Sequence, residues 1–281
     1  GVADFGQGCD TVLLQMASDA IGVSLNEIRF IRADTAVTTD AGATSASRQT
    51  YISGNAILNA IKNLKHVAIR EASQLLNIDE KDLFFEDGKV KSRTCLTTSI
   101  PIKQIAKRCR RILRGEGSFD PETTRLDPET GQGVPYATYA FATHLAEVEV
   151  DTETGKVKVN RVIASHDVGK AIHPQNVMGQ ITGGVAMGTG FALMEEYVPG
   201  EATSFVNYLI PTSKDVPEVI PIIVEDEEPT GPFGAKGVGE PALIPSAPAI
   251  LNAIADAIGQ RIYDLPANLE RVLEAIQKSK K

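Results

Sequence analysis

The sequence predicts an α+β protein made of two mixed α/β subdomains, residues 1–135 and 136–281. Three observations carry this. Residues 54–76 place Ile57, Ile61, Leu64, Ala68, Ala72 and Leu75 at helical steps, the pattern of a long amphipathic helix. Further on the pattern becomes strict alternation. Ala146, Val148 and Val150 alternate with Glu147 and Glu149, a polar turn follows, and Val157 and Val159 flank Lys158. That predicts a β-hairpin whose Glu and Lys rows face each other. Between these patterns, residues 115–137 are rich in Gly, Pro, Thr and Asp and have no period, which marks an internal boundary.

The remaining elements follow in chain order. Asp4-Phe5-Gly6-Gln7-Gly8 reads as a polar turn. Asp10 or Thr11 is placed to cap the next helix, with Val12, Leu13, Met16, Ala17 and Ala20 inward and Gly22 as its stop. Ile28, Phe30 and Ile31 predict a short strand. An irregular stretch then leads into Thr44-Ser45-Ala46-Ser47-Arg48-Gln49-Thr50, just ahead of the long helix. A helix start offers unpaired N–H groups and the positive end of the dipole, so it can hold a phosphate or a polar heterocycle. Simple N-capping explains one hydroxyl there; the excess of hydroxyl and amide groups favours a ligand.

Leu83-Phe84-Phe85 and Lys89-Val90 around Glu86-Asp87-Gly88 predict a second hairpin, and residues 100–109 a helix. Lys107, Arg108, Arg110 and Arg111 read as a solvated helix end or a subunit contact. After the boundary, the strand through Val162 ends at His166-Asp167-Val168-Gly169. Pro174 opens a helix with unusually many glycines between Val177 and Gly190, and Gln180 among them. Such glycines imply close approach of a neighbouring helix or of a large ligand. A strand at 219–224 and helices near 246–258 and 268–276 complete the chain.

Four glycines crowd the segment from Gly231 to Leu243, a shaped loop rather than a helix or strand. It carries Glu240, backed by Pro241, with Lys236 as a cation able to tune it and Val238, Phe233 and Leu243 as apolar neighbours. A carboxylate held stiffly in such surroundings suits a general base. A glycine-rich surface turn with a solvated Glu accounts for the same residues.

The net charge of −8 gives no nucleic-acid footprint, and no apolar run reaches the length of a membrane span. Cys9, Cys95 and Cys109 are widely spaced and form no metal-ligand cluster, so the chain itself is expected to ligate no metal. Their odd number suits a reducing cytoplasm. The opening Gly-Val-Ala-Asp, without Met or a signal pattern, is expected of a chain cut or processed from a longer polypeptide.

Taken in order, Gly6-Gln7-Gly8, Ser45-Ala46-Ser47-Arg48-Gln49-Thr50, Asp167-Val168-Gly169, Gly179-Gln180 and Gly234-Ala235-Lys236-Gly237-Val238-Gly239-Glu240-Pro241 resemble motifs of the molybdenum hydroxylase family, which includes xanthine dehydrogenase and aldehyde oxidoreductase. The resemblance is to the C-terminal part of the molybdopterin-binding subunit. It implies that Glu240 is the catalytic base and that Gln7 and Gln180 hydrogen-bond around the metal's oxo, pterin and apical groups. It implies further that Thr44, Ser45, Ala46, Ser47, Gln49 and Thr50 hold the pterin phosphate, with Ser45 and Ala46 near the substrate. Met187 stands where the family often has Gln.

The implied cofactor is molybdopterin cytosine dinucleotide with molybdenum bearing a sulfido or selenido group, held by its own dithiolene. FAD and 2Fe-2S clusters are implied on partner subunits. The family's N-terminal half, with its Gly-Gly-Phe-Gly-Gly loop, has no counterpart in these residues. A larger molybdopterin subunit is therefore expected to complete the site, as in the split nicotinate dehydrogenases of anaerobic bacteria. The implied activity is hydroxylation of a small N-heteroaromatic substrate. An aldehyde, a purine or carbon monoxide, or a non-catalytic cofactor-loading role, are the alternatives.

Overall fold

The computed structural model describes residues 1–95, 97–109 and 112–279, and the chain divides into two compact units. Residues 1–138 and 228–235 form the first; residues 139–227 and those from 236 onward form the second.

In the first unit, helix α1 (Cys9–Ile21) packs on the long helix α2 (Gln49–Leu76). A small antiparallel sheet follows, with strands β1 (Leu83–Glu86), β2 (Lys89–Ser92) and β3 (Ser99–Pro101) in that order, and then helix α3 (Ile102–Arg108). Asp87 and Gly88 take φ of 48° and 67°, the two left-handed residues that a tight hairpin turn requires. Ala68 and Ala72 of α2 meet Leu83, Val90, Ile100 and Ile105 in the core, so the small residues on α2 bring the sheet close.

Several expectations for this unit are corrected. α2 begins at Gln49, not near Gly54, so Gln49 and Thr50 lie in its first turn. Gly54 is a contact point: a Cβ there would come within 2.7 Å of Pro232 and 2.9 Å of the Met16 sulfur. Ile28, Phe30 and Ile31 form no strand, and Phe30 and Ile31 are exposed; no described strand lies alongside to complete a ladder. Ile100 pairs with Val90 as a strand residue, which delays the predicted helix to Ile102. Neither Asp10 nor Thr11 caps α1. Asp4 does this from outside the helix, its Oδ1 accepting from the Gly6 and Gly8 N–H groups and its Oδ2 from the Asp10 N–H. Of the basic cluster, Lys107 and Arg108 close α3, while Arg110 and Arg111 lie outside the described residues.

The aperiodic stretch is tied along α2: Asn63 and Asn59 donate to the Glu116 and Ser118 carbonyls at 2.7 and 2.8 Å. The 228–235 excursion returns to the same helix, with the Tyr51 and Thr230 hydroxyls 2.7 Å apart and the Asn55 amide donating to the Thr230 carbonyl at 2.9 Å.

In the second unit, β4 (Ala142–Val150) and β6 (Glu218–Val224) flank β5 (Val157–Asp167), antiparallel and parallel to it respectively. Parallel neighbours need a crossover, and this one carries α4 (Pro174–Leu193). Helices α5 (Ser246–Ile258) and α6 (Leu269–Ser279) follow. Val162, Ile181, Val185, Ile250, Ile254 and Val272 are wholly enclosed and form the core. The predicted charge rows meet: Glu149 opposes Lys158, and Arg161 opposes Glu147, to which its Nη2 donates at 2.6 Å.

Candidate cofactor-binding site

Two of the sequence motifs meet in the first unit. The Gln7 amide donates to the Ala3 carbonyl at 3.2 Å, and the Thr44 hydroxyl donates to the same oxygen at 2.9 Å. Gln7 is further engaged, its Nε2 lying 3.2 Å from the Cys9 sulfur and its Oε1 accepting from the Phe5 N–H. Burial, with the Asp4 and Asp10 charges, pushes the Cys9 thiol up to about 12, so it is inert. At Asp4, burial is outweighed by the three backbone N–H groups, and the carboxyl sits below its ordinary range.

From Thr44 onward the chain folds on itself. The Arg48 guanidinium donates to the Ala41 and Ala43 carbonyls at 2.7 and 3.1 Å. The Gln49 amide donates to the Ala43 carbonyl and the Thr44 hydroxyl, both at 3.2 Å. These side chains shape the loop. Ser45 and Ala46 are exposed, and Ala46 and Ser47 both take φ of 52°, a conformation uncommon outside glycine and concentrated at functional sites. Thr50 is half-buried in the first helical turn. No side chain of the N-cap residue hydrogen-bonds the α2 N-terminus. Left-handed residues leading into a helix start of this kind fit an anion such as a pterin phosphate.

Asp4, Cys9 and Asp10 bring ligand atoms within 4.8 Å of one another. Asp4 is committed to the helix cap and Asp10 to an ion pair with Arg32, so this group has a structural use. An open cleft of about 570 Å³ lies beside it, lined by Asp4, Gly6, Asp10, Thr11, Phe30 and Arg32.

The second unit holds Gln180 and Glu240. Glu240 lies in the turn ahead of α5, its carbonyl accepting from the Leu243 N–H at 3.0 Å. Its side chain is exposed, unlike the apolar enclosure expected; within this loop, burial falls instead on Lys236, Ala242 and Ser246. Lys236 is also reassigned. It is a buried cation whose Nζ lies 2.5 Å from the Asp167 carboxylate at the end of β5, and whose N–H donates to the Val168 carbonyl at 2.9 Å. The other Asp167 oxygen accepts from the Gly169 N–H at 3.0 Å.

The glycines of α4 divide between the two explanations offered for them. A Cβ on Gly184 would stand 2.5 Å from the Ala242 carbonyl carbon, and one on Gly188 would stand 2.2 Å from the Ser246 Cβ. These two therefore pack α4 against the segment leading from Glu240 into α5. Gly179 and Gly183, which flank the half-buried Gln180, would meet nothing within 4 Å. Their open backbone fits close approach of a large ligand.

One cluster escaped the sequence reading. The His144 and His166 Nε2 atoms are 2.6 Å apart, and the His144 Nδ1 lies 3.2 Å from the Ser246 hydroxyl. Burial lowers His166, and burial with the neighbouring His166 lowers His144 to about 4. No local pattern announces this, because its members come from β4, β5 and α5.

The first unit thus presents a helix start whose N-cap residue makes no side-chain cap, and the second a glycine-shaped loop bearing a carboxylate and an open helix backbone beside Gln180. Residues 1–217 match the molybdopterin cofactor-binding domain family. The chain is 31% identical over 292 residues to 6-hydroxypseudooxynicotine dehydrogenase complex subunit gamma of Paenarthrobacter nicotinovorans, covering 99% of this chain and 35% of that one. It is 33% identical over 280 residues to the aldehyde oxidoreductase of Megalodesulfovibrio gigas, covering 98% and 28%. The crystal structure of quinoline 2-oxidoreductase from Pseudomonas putida 86 superposes with a TM-score of 0.83 at 28% identity, covering 99% and 36%. The chain belongs to the molybdenum hydroxylase family, of which xanthine dehydrogenase is a member, and corresponds to its C-terminal molybdenum-binding region. It spans about a third of the length of these relatives.

Proposed function

We propose that the chain forms part of the molybdopterin-binding subunit of a hydroxylase that places water-derived oxygen on an electron-poor carbon of an N-heteroaromatic substrate, nicotinate-like in class, with Glu240 as the base. The observation that carries this is the Glu240 loop, whose flanks are fixed to Asp167 of β5 and His144 of β4 while Glu240 itself stays exposed.

When bound, the molybdenum supplies the two-electron acceptor for oxidation of the carbon. The chain supplies the rest. The first turn of α2, with Thr44, Ser45, Ala46, Ser47, Gln49 and Thr50, holds phosphate through backbone N–H groups and the helix dipole. Gln180 offers its amide beside the open Gly179 and Gly183. The Gln7 Nε2 hydrogens are engaged at Ala3 and Cys9, so cofactor binding re-aims this amide. Glu240 accepts the proton released as oxygen is transferred to carbon.

The words quinoline and pseudooxynicotine in the names of two similar proteins support a heteroaromatic substrate. Similarity to an aldehyde oxidoreductase supports an aldehyde as the second reading. Partner polypeptides bearing the family's N-terminal half, FAD and 2Fe-2S clusters, a cytosine dinucleotide form of the cofactor, a sulfido or selenido group on the metal and a cytoplasmic location complete the proposal. Among the described residues no helix is long and apolar enough to cross a membrane.

The test is Glu240→Gln in the native complex. Turnover should fall on the order of 10²–10⁴-fold with molybdenum content retained. Unchanged turnover overturns the assignment. Elemental analysis of the same complex for Mo, Se, Fe and P tests the cofactor set.

A further inference from the structure

The loop that carries Glu240 is held upstream by Asp167 at the end of β5 and downstream by His144 of β4, which His166 of β5 backs. Upstream, Lys236 reaches Asp167 through its side chain and Val168 through its N–H. Downstream, the grip runs through hydrogen bonds. The Ser246 hydroxyl contacts the Ala242 carbonyl at 3.5 Å and the His144 Nδ1 at 3.2 Å, and His144 meets His166 at 2.6 Å. His166 and Asp167 are the last two residues of β5.

The direction of this chain follows from its acceptors. The Ala242 carbonyl can only accept; with the Ser246 hydroxyl as its donor at 3.5 Å, that hydroxyl accepts from the His144 Nδ1–H. The His144 Nε2 then accepts from the His166 Nε2–H. The His166 Nδ1, buried and without a hydrogen-bond partner among the described residues, is left as a bare lone pair. The opposite order would bury an N–H with no acceptor, which is the rarer situation in proteins. An added proton on His144 would set two N–H groups head to head at 2.6 Å, and burial disfavours one at the His166 Nδ1, so the pair stays neutral.

We propose that His144, His166 and Ser246, together with the Asp167–Lys236 pair, are positioning residues for Glu240. They act through the loop backbone, not on the substrate. This rests on the reading of Glu240 as the base. Residues 236–245 hold no regular element, so these side-chain anchors, with the packing of Gly184 on Ala242, fix the carboxylate's approach. A displacement of about 1 Å at a reacting group can cost on the order of 10²-fold in rate.

The experiment uses the native complex with Ser246→Ala, and separately with Asp167→Asn combined with Lys236→Met. The double change removes both buried charges together, which a fold tolerates better than removal of one. Each should lower kcat about 10- to 100-fold with substrate KM and molybdenum content unchanged. Each should add no further loss in a Glu240→Gln background, because groups that act through one residue are not additive. A kcat within about two-fold of the parent, a loss that follows molybdenum loss, or a loss that multiplies with Glu240→Gln overturns the inference. Glu240→Gln alone separates the two readings: if it leaves turnover intact, the base assignment fails and this inference falls with it; if it abolishes turnover while the other variants are silent, only the positioning role fails.

Discussion

Gln7 and Thr44, distant in sequence, donate to one oxygen, the Ala3 carbonyl, at 3.2 and 2.9 Å. The start of the chain and the entrance to α2 are thus a single hydrogen-bonded unit, and Thr44 is its hub because its hydroxyl also accepts from Gln49.

Thr44→Val keeps the shape and removes the hub. The expected cost is about 1–3 kcal/mol, since the Gln49 amide loses an acceptor in a part-buried place. Urea unfolding of the complex measures it. Cofactor content should fall in the same variant, and Thr44→Ser should retain most of both.

Gly184→Ala and Gly183→Ala make a matched pair on α4. The first sets a methyl group 2.5 Å from the Ala242 backbone and should destabilise the fold by about 1–3 kcal/mol, the range for overpacking. The second meets nothing and gains helix propensity of about 0.5–1 kcal/mol. If a ligand lies on that face, Gly183→Ala should leave melting temperature intact or raised while lowering molybdenum content.

The paired histidines make stability depend on acid. Both titrate lower in the folded state than their ordinary value, His144 near 4. Below pH 6.5 the unfolded chain takes protons that the folded chain refuses, so stability falls as pH drops from 6.5 towards 4. Above 6.5 the pair contributes no slope. Urea midpoints between pH 6.5 and 5, above most carboxylate titration, should decline in the parent and flatten in His144→Gln.

The cysteines should separate by reactivity. Hydrogen bonds from Thr97 and Thr98 lower the exposed Cys95 thiol to about 7, while Cys9 is buried. Mass spectrometry after brief iodoacetamide treatment at neutral pH should find Cys95 labelled first and Cys9 untouched until the chain unfolds.

What the sequence made legible was local. The hairpin turn at Asp87-Gly88, the alternation through Val148 and Val159 and the start of α5 at Ser246 are set by near neighbours, and the structure reproduces them. What it concealed depended on distant partners. Ile28, Phe30 and Ile31 have the composition of a strand but no edge to join. Asp4 caps α1 from outside it, a placement that ordinary cap spacing does not describe. Lys236 looked like a neighbour of Glu240, yet its charge is answered by Asp167. The segments proposed for the cofactor stand out because glycine and hydroxyl clusters are conspicuous. The histidine pair could not, because each member alone looks like an ordinary strand residue.

The two anchors of the Glu240 loop join residues 69 and 102 positions apart. Closing such distances costs entropy that β4, β5, the crossover helix and β6 between them must offset. The loop's geometry is thus a property of the whole second unit and not of its own residues.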